Sequence, residues 1–168
     1  MSWQSKVALV IGVSVFLAWL LPGLFPSDET RIRRSLKRLS ETLTLSTEDG
    51  NISKISKASR FRGFFTTNVV VDLGENRWQG TALHGRSTLA DAFKNTLFRL
   101  KTSQVEFKGT AVKVGPGKQS ANVRLDAHAT IDIEPQPFIW AFSLEFQKTD
   151  DGWKIHKATR QTVFRRQI

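Results

Sequence analysis

Residues 120–133 read SANVRLDAHATIDI, in which apolar and polar side chains alternate. Because successive side chains of a β-strand point to opposite faces of a sheet, this alternation predicts a strand with one buried face. The polar face would be solvated. The apolar face would carry Ala121, Val123, Leu125, Ala127, Ala129 and Ile131.

The sequence on both sides of this strand predicts further antiparallel strands. Residues 104–114 precede it, and a turn at Gly115-Pro116-Gly117 joins the two. Pro135 and Pro137 predict a break after it, before a strand at residues 138–148. A hairpin turn at 150–152 leads to a last strand from Trp153 to Phe164. The strand at 138–148 places aromatic and aliphatic side chains on one face, which indicates core filling: Phe138, Trp140, Phe142, Leu144 and Phe146.

The part of the chain before residue 104 has mainly helical periodicity. Ser27 is placed to cap a helix running to about Ser46, and Ser87 or Thr88 to cap another. The first helix has an apolar stripe of Ile32, Leu36, Leu39 and Leu43, and the other has Leu89, Phe93, Leu97 and Leu100.

Between these two helices we predict a shorter helix and two strands. The helix runs from Ile52 to Phe61, and its inward side chains would be Ile52, Ile55 and Ala58. The strands run from Asn68 to Leu73 and around Trp78 to Leu83.

The order of these elements resembles the nuclear transport factor 2-like (SnoaL-like) superfamily over residues 28–165. Three short motifs support the resemblance: Phe64–Val71 after two helices, Leu83-His84-Gly85-Arg86 before a helix, and Asp151–Ile155 at the start of the last strand. The resemblance implies an α+β cone, in which three helices pack on a strongly bent antiparallel sheet that often encloses a pocket. Members include steroid isomerases, polyketide cyclases, dehydratases, transport adaptors and assembly factors of secretion machines.

A long apolar segment precedes this domain. It runs from Val7 to Leu21 and is extended by Gly23, Leu24 and Phe25. About nineteen residues of helix would span roughly 28 Å, close to the hydrocarbon thickness of a bilayer. We therefore predict a transmembrane anchor with a short linker at residues 1–27 and one domain at residues 28–168.

The alternative interpretation of this segment is a cleaved signal peptide, but no Ala-x-Ala site and no lipobox cysteine follow it.

The sequence leaves open on which side of the membrane the domain lies. Basic residues after the segment favour a cytoplasmic domain. The short amino-terminal flank and the family resemblance favour an exported, periplasmic one.

The domain is strongly basic. All 15 acidic residues and 24 of the 25 Lys and Arg residues lie within residues 28–168, which gives that part a formal charge of +9. This charge favours anionic partners. A basic cluster follows the apolar segment and would face anionic lipid headgroups or a partner: Arg31, Arg33, Arg34, Lys37 and Arg38. The alternative is an ordinary solvated helix face. We do not expect nucleic-acid binding, because Lys and Arg do not alternate with the aromatic residues on one strand face.

Candidate catalytic residues are few. Asp126 and His128 share a strand face, and His84 precedes a helix that borders the pocket mouth in the resembled superfamily. A carboxylate and an imidazole could abstract and return a proton. The alternative is that Asp126 and His128 lie on a solvated strand face and that His84 belongs to a helix-capping turn. The chain has no tyrosine, the residue that steroid isomerases of this fold use in the oxyanion hole. It has no cysteine, and its three histidines show no metal-ligand spacing, so we expect no metal and no cofactor.

These features favour a membrane-anchored binding or scaffold module over an enzyme. It would contact the lipid bilayer through residues 7–25 and other subunits of a membrane protein complex through its domain. The alternative is a membrane-tethered small-molecule enzyme or carrier, of the SnoaL-like cyclase, isomerase or dehydratase type, that uses the cone pocket.

Overall fold

A computed structural model describes residues 26–74 and 82–161 of the chain. In this part, three helices pack on a six-stranded sheet. The elements in chain order are α1 (Asp28–Leu43), α2 (Asn51–Arg62), β1 (Phe65–Asp72), β2 (Leu83–His84), α3 (Arg86–Arg99), β3 (Ser103–Val114), β4 (Ser120–Ile131), β5 (Glu134–Thr149) and β6 (Gly152–Gln161). The predicted α+β class is confirmed.

The strands lie in the order β2-β1-β6-β5-β4-β3. Strands β3 to β6 form three consecutive antiparallel hairpins, so the last strand of the series returns to pair with β1. The β1–β6 pairing is parallel, unlike the others. Pairing shifts register in β3 between Lys108 and Ala111, where Gly109 has a φ of 58°. Such bulges bend a strand and increase its twist, which helps the sheet curve around the helices.

The core lies between the concave face of the sheet and the helices. On β4, Ala121, Val123 and Leu125 are at most 4% exposed, which confirms the predicted alternation. The apolar stripe of α1 packs against this face, with Ile32 fully buried. Each large apolar side chain buried in this way contributes about 1.5–3 kcal/mol. Because this burial holds the apolar stripe of α1 against the sheet, the two flanks beside the stripe remain outside the core.

The prediction that Ile52 and Ile55 of α2 point into the core is wrong. Ile52 is 86% exposed and Ile55 is 52% exposed, although Ala58 is buried as expected. Helix α2 instead turns Ala58 and Phe61 towards α3, and the ring of Phe61 stacks on Phe93 with centroids 4.1 Å apart. The Nζ atom of Lys54 donates a hydrogen bond to the carbonyl of Leu100 on the same side. The side of α2 that faces α3 therefore includes Lys54, and not Ile52 and Ile55 as predicted.

The predicted break at Pro135 and Pro137 is also wrong, because β5 begins at Glu134 and continues through both prolines. The β4–β5 register shifts here, so that Ala129 pairs with Phe138 and Ile131 with Glu134. Within the described residues, β6 pairs with β5 from Ala141 onward. The two prolines lack N–H donors, and the irregular register at this end of β5 accommodates that loss.

Within the described residues, no helix has the length and apolar character needed to cross a membrane. The predicted anchor at residues 7–25 lies outside the described residues, as do most of the predicted strand around Trp78 and the end of the last predicted strand.

Candidate functional site

Helix α1 presents the basic cluster, and its geometry follows from the local sequence. The Ser27 Oγ atom accepts a hydrogen bond from the Thr30 N–H at 3.2 Å and caps the helix. Each residue of a helix is rotated by about 100° from the one before it, so cations flanking a buried stripe fall on two sides. Arg31, Arg34 and Arg38 lie on one flank of α1, and Arg33 and Lys37 lie on the other.

The first flank forms one wall of an open groove with a volume of about 600 Å³. The groove lies between α1, the C-terminal half of α2 and the β5–β6 hairpin, and we call it the basic groove. Its floor includes Phe64 and Trp153. Six cationic and two acidic side chains line it: Arg31, Arg34, Arg38, Lys57, Arg60 and Lys154, with Glu41 and Asp151.

The cations of the basic groove differ in their existing partners. The Lys57 Nζ atom contacts the Asp49 carboxylate at 2.7 Å and also donates to the carbonyl of Thr44. The Lys154 Nζ atom donates to the carbonyl of Gly63. The four arginines of the groove form no ion pair within the described residues. The guanidinium groups, together with the Lys154 ammonium, whose carbonyl partner is uncharged, therefore supply the uncompensated positive charge of the groove.

The second flank of α1 is already engaged with the sheet. The Arg33 guanidinium contacts the Glu29 carboxylate at 2.9 Å and donates a hydrogen bond to the carbonyl of Thr110 on β3 at 3.0 Å. Lys37 lines a smaller depression on this side, of about 390 Å³, together with Lys108. The structure thus divides the basic cluster instead of presenting it as one face.

Asp28 fixes the start of α1 against the β5–β6 hairpin. Its carboxylate accepts a hydrogen bond from the Trp153 Nε1–H at 3.0 Å and lies 3.2 Å from the Lys148 Nζ atom. The Trp153 hydrogen bond and, to a smaller extent, the Lys148 ammonium hold the pKa of Asp28 below its usual range, because both stabilise the carboxylate. This contact sets the position of Arg31, three residues further along the helix, relative to the groove floor.

The structure does not bring all three acid–base candidates together, because Asp126 and His128 share a face of β4 whereas His84 lies apart. Asp126 is exposed on the convex face of β4, and His128 is half-buried on the same face. His84 is exposed on β2, at the far edge of the sheet. Four strand spacings separate β2 from β4, which is roughly 19 Å along the sheet.

Two other polar features involve histidine and arginine. The Thr66 Oγ1 atom, which is buried, lies 3.2 Å from the His156 Nδ1 atom and can exchange a hydrogen bond with it. The buried Nε atom of Arg86 finds no hydrogen-bond partner among the described residues. In the same part of the chain, no three His, Asp or Glu side chains cluster in a way that could hold a metal ion.

The aromatic face of β5 fills the core only in part. Leu144 and Phe146 are buried, whereas Phe138, Trp140 and Phe142 are half-buried. The Arg160 guanidinium lies over the Trp140 ring at 4.6 Å from its centroid, within cation–π range.

Sequence reasoning missed three members of the basic groove: Lys57, Arg60 and Lys154. They belong to α2 and β6, which are distant from α1 in sequence. The one available signal was the run of basic residues on α2, from Lys54 to Arg62, on a helix predicted to be amphipathic.

Comparisons with known proteins agree with this fold. The sequence model of a family described as "SnoaL-like domain" matches residues 55–159, more than half of the chain. A search of curated proteins found no match.

Several solved structures have the same fold. A nuclear transport factor 2-like protein with a cystatin-like fold from Novosphingobium aromaticivorans has 14% identity and a TM-score of 0.62, over 91% of this chain and 89% of that one. A protein from Kribbella flavida has 13% identity and a TM-score of 0.64, over 82% and 91%. A candidate dehydratase of the same fold family from Streptomyces avermitilis has 13% identity and a TM-score of 0.62, over 79% and 94%. At these identities the similarity extends to the fold and not to the chemistry.

Proposed function

Since this chain belongs to the SnoaL-like domain family, we propose that it is a non-catalytic binding module, held at a membrane by residues 7–25. In this proposal it serves as an accessory subunit of a membrane protein complex. The observation that supports it is the basic groove, whose first arginine follows the apolar segment by six residues. A fold alone does not give a function, so the proposal depends on this site.

The distribution of polar groups favours binding over catalysis. General acid–base catalysis needs groups within hydrogen-bond reach of the same substrate atoms. Asp126 and His128 face away from the core, and His84 lies four strands away. Six cationic side chains, in contrast, line one open groove that an anionic surface can reach.

The position of the groove fits a membrane surface. Six residues can span at most about 20 Å when extended, so Arg31 would stay close to the headgroup layer. Cations near anionic headgroups are attracted to them. We place the domain on the exported side, in line with the short amino-terminal flank, and protease accessibility in intact cells tests that side.

The experiment compares the full chain with a chain lacking residues 1–27. We expect the full chain to sediment with membranes and to co-purify with other membrane proteins in mild detergent, as identified by mass spectrometry. The shortened chain would lose both properties. Mature protein that begins near Ser27 and remains in the soluble fraction would contradict the proposal, because it would identify the segment as a cleaved signal peptide.

A second candidate function is a small-molecule carrier or enzyme. The half-buried aromatic side chains of Phe138, Trp140 and Phe142, with Arg160 over Trp140, favour it, because they offer an apolar surface beside a cation. A thermal-shift screen with small aromatic acids tests it. Stabilisation that Trp140→Ala abolishes would favour a carrier, and turnover that Asp126→Ala or His128→Ala abolishes would favour an enzyme.

A further inference from the structure

We propose that the basic groove binds the phosphate of an anionic lipid headgroup, an inference that rests on the proposed membrane location. The bound group is the phosphate diester of a lipid whose headgroup carries a net negative charge, and a zwitterionic headgroup would bind less well. Its site is formed by residues from α1, α2 and β6 and not by the basic face of α1 alone.

Four arginines from two helices line the basic groove. Arg31, Arg34 and Arg38 lie on one flank of α1, about 4.5 and 6 Å apart along the helix axis. Arg60 approaches from α2, on the opposite wall. A guanidinium group offers N–H donors in a planar fork that can bind two phosphate oxygens together. Because none of the four forms an ion pair within the described residues, a bound phosphate would replace water and not an internal partner.

The walls of the groove are held in place by contacts within the domain. The ion pair of Lys57 with Asp49 ties α2 to the loop after α1. The hydrogen bond from Trp153 to Asp28 ties the hairpin to the start of α1. A site whose walls are fixed before binding loses less conformational entropy when the ligand arrives.

The acidic residues of the groove favour a short anion over a long polyanion. Asp151 lies in the hairpin turn, and Glu41 lies in the last turn of α1. A long polyanion that fills the groove would meet both carboxylates and be repelled by them, whereas a single phosphate that binds the arginines need contact neither.

The experiment measures lipid binding to the full chain in a neutral detergent by native mass spectrometry. The probe is dioleoyl phosphatidylglycerol, added together with an equal amount of dioleoyl phosphatidylcholine, which reports contacts with the apolar segment. We expect preferential retention of phosphatidylglycerol. Arg34→Gln with Arg38→Gln should weaken its binding roughly tenfold, which corresponds to about 1.4 kcal/mol.

The matched control is Lys37→Gln with Arg62→Gln, since both side chains are exposed and lie outside the basic groove. This pair removes the same charge, and we expect less than about a twofold change. Equal loss in both double variants would overturn the proposal, because it would show attraction by net charge alone. Equal retention of the two lipids by the unmodified chain would overturn it as well.

Two further arms keep the result interpretable. If the glutamine pair unfolds by circular dichroism, Arg34→Lys with Arg38→Lys keeps the charge and should still weaken binding about threefold, because lysine lacks the planar fork. Glycerol phosphate added at the concentration of the lipid should not displace it; displacement would assign the site to a soluble phosphorylated molecule and overturn the lipid proposal. Since the lipid is supplied in detergent, the outcome is independent of whether residues 7–25 hold the protein in a membrane.

Discussion

Replacing Asp49 with asparagine should destabilise the domain in a pH-dependent way. The Asp49 carboxylate accepts hydrogen bonds from Lys57 Nζ at 2.7 Å, from the backbone N–H of Ser46 at 2.8 Å and from the Ser53 hydroxyl. Its side chain is 14% exposed and that of Lys57 is 17% exposed. The contacts join the loop after α1 to the first two turns of α2.

The expected loss in the free energy of unfolding follows from the charge that Asp49→Asn removes. Hydrogen bonds to a charged group contribute about 1.5–3 kcal/mol, and asparagine keeps one acceptor oxygen but leaves the Lys57 ammonium without its counter-ion. We expect Asp49→Asn to lower the free energy of unfolding by about 2 kcal/mol at pH 7. The control Asp150→Asn changes an exposed carboxylate in the hairpin turn and should cost less than about 0.5 kcal/mol.

The pH dependence gives a sharper test. The hydrogen bond from Lys57, followed by those from Ser53 and Ser46, holds the pKa of Asp49 far below its usual value. A carboxyl group with a depressed folded-state pKa contributes stability that is fully present above its unfolded pKa of about 3.9 and is lost as the pH falls towards the folded value. The difference between the unmodified chain and Asp49→Asn should therefore be about 1 kcal/mol smaller at pH 3 than at pH 7.

Urea unfolding of the full chain in neutral detergent, followed by circular dichroism at both pH values, measures these free energies. A difference of equal size at pH 3 and pH 7 would refute the reasoning, because it would show that the Asp49 charge is not what stabilises the loop.

Three further substitutions test the packing. Asp28→Asn removes the charged acceptor of the Trp153 N–H and should lower the free energy of unfolding by about 1–2 kcal/mol, with a changed near-ultraviolet circular dichroism signal. Ile55→Ser should cost less than about 0.5 kcal/mol in urea unfolding, because Ile55 is exposed; a cost above 1 kcal/mol would restore the face predicted from sequence. Phe146→Ala should cost about 3–5 kcal/mol in the same assay, and near-neutral behaviour would contradict its place in the core.

The strands in the second half of the chain could be predicted because buried and exposed side chains alternate along them. One face of β4 packs against α1 and the other is exposed to solvent, so apolar and polar residues alternate strictly at 121–126. At residues 127–130 both faces are half-buried or exposed, and the pattern no longer reports the environment. The helix stripe of α1 was predictable for the same reason, since Ile32, Leu36 and Leu39 all meet the sheet.

The orientation of α2 and the composition of the basic groove could not be predicted in the same way. Lys54 and Lys57 point their ammonium groups at main-chain carbonyls of other segments, and those carbonyls carry no sequence signal. The groove combines residues more than 120 positions apart, from Arg31 to Lys154. Such a site depends on how elements pack, which a local pattern of residue types does not contain.

On one flank of α1, Arg33 has partners within the domain, whereas the arginines on the other flank form no ion pair within the described residues. This difference limits how the helix can bind an anionic surface. A helix lying flat on lipid needs its cations free along one face. In α1 that arrangement is blocked, because Arg33 is held by Glu29 and by the Thr110 carbonyl, and its flank closes onto β3. The flank of Arg34 opens into the basic groove, where no acidic partner within the described residues neutralises it. The free charge of the helix is therefore available to a ligand that enters the groove and less available to a surface lying across α1.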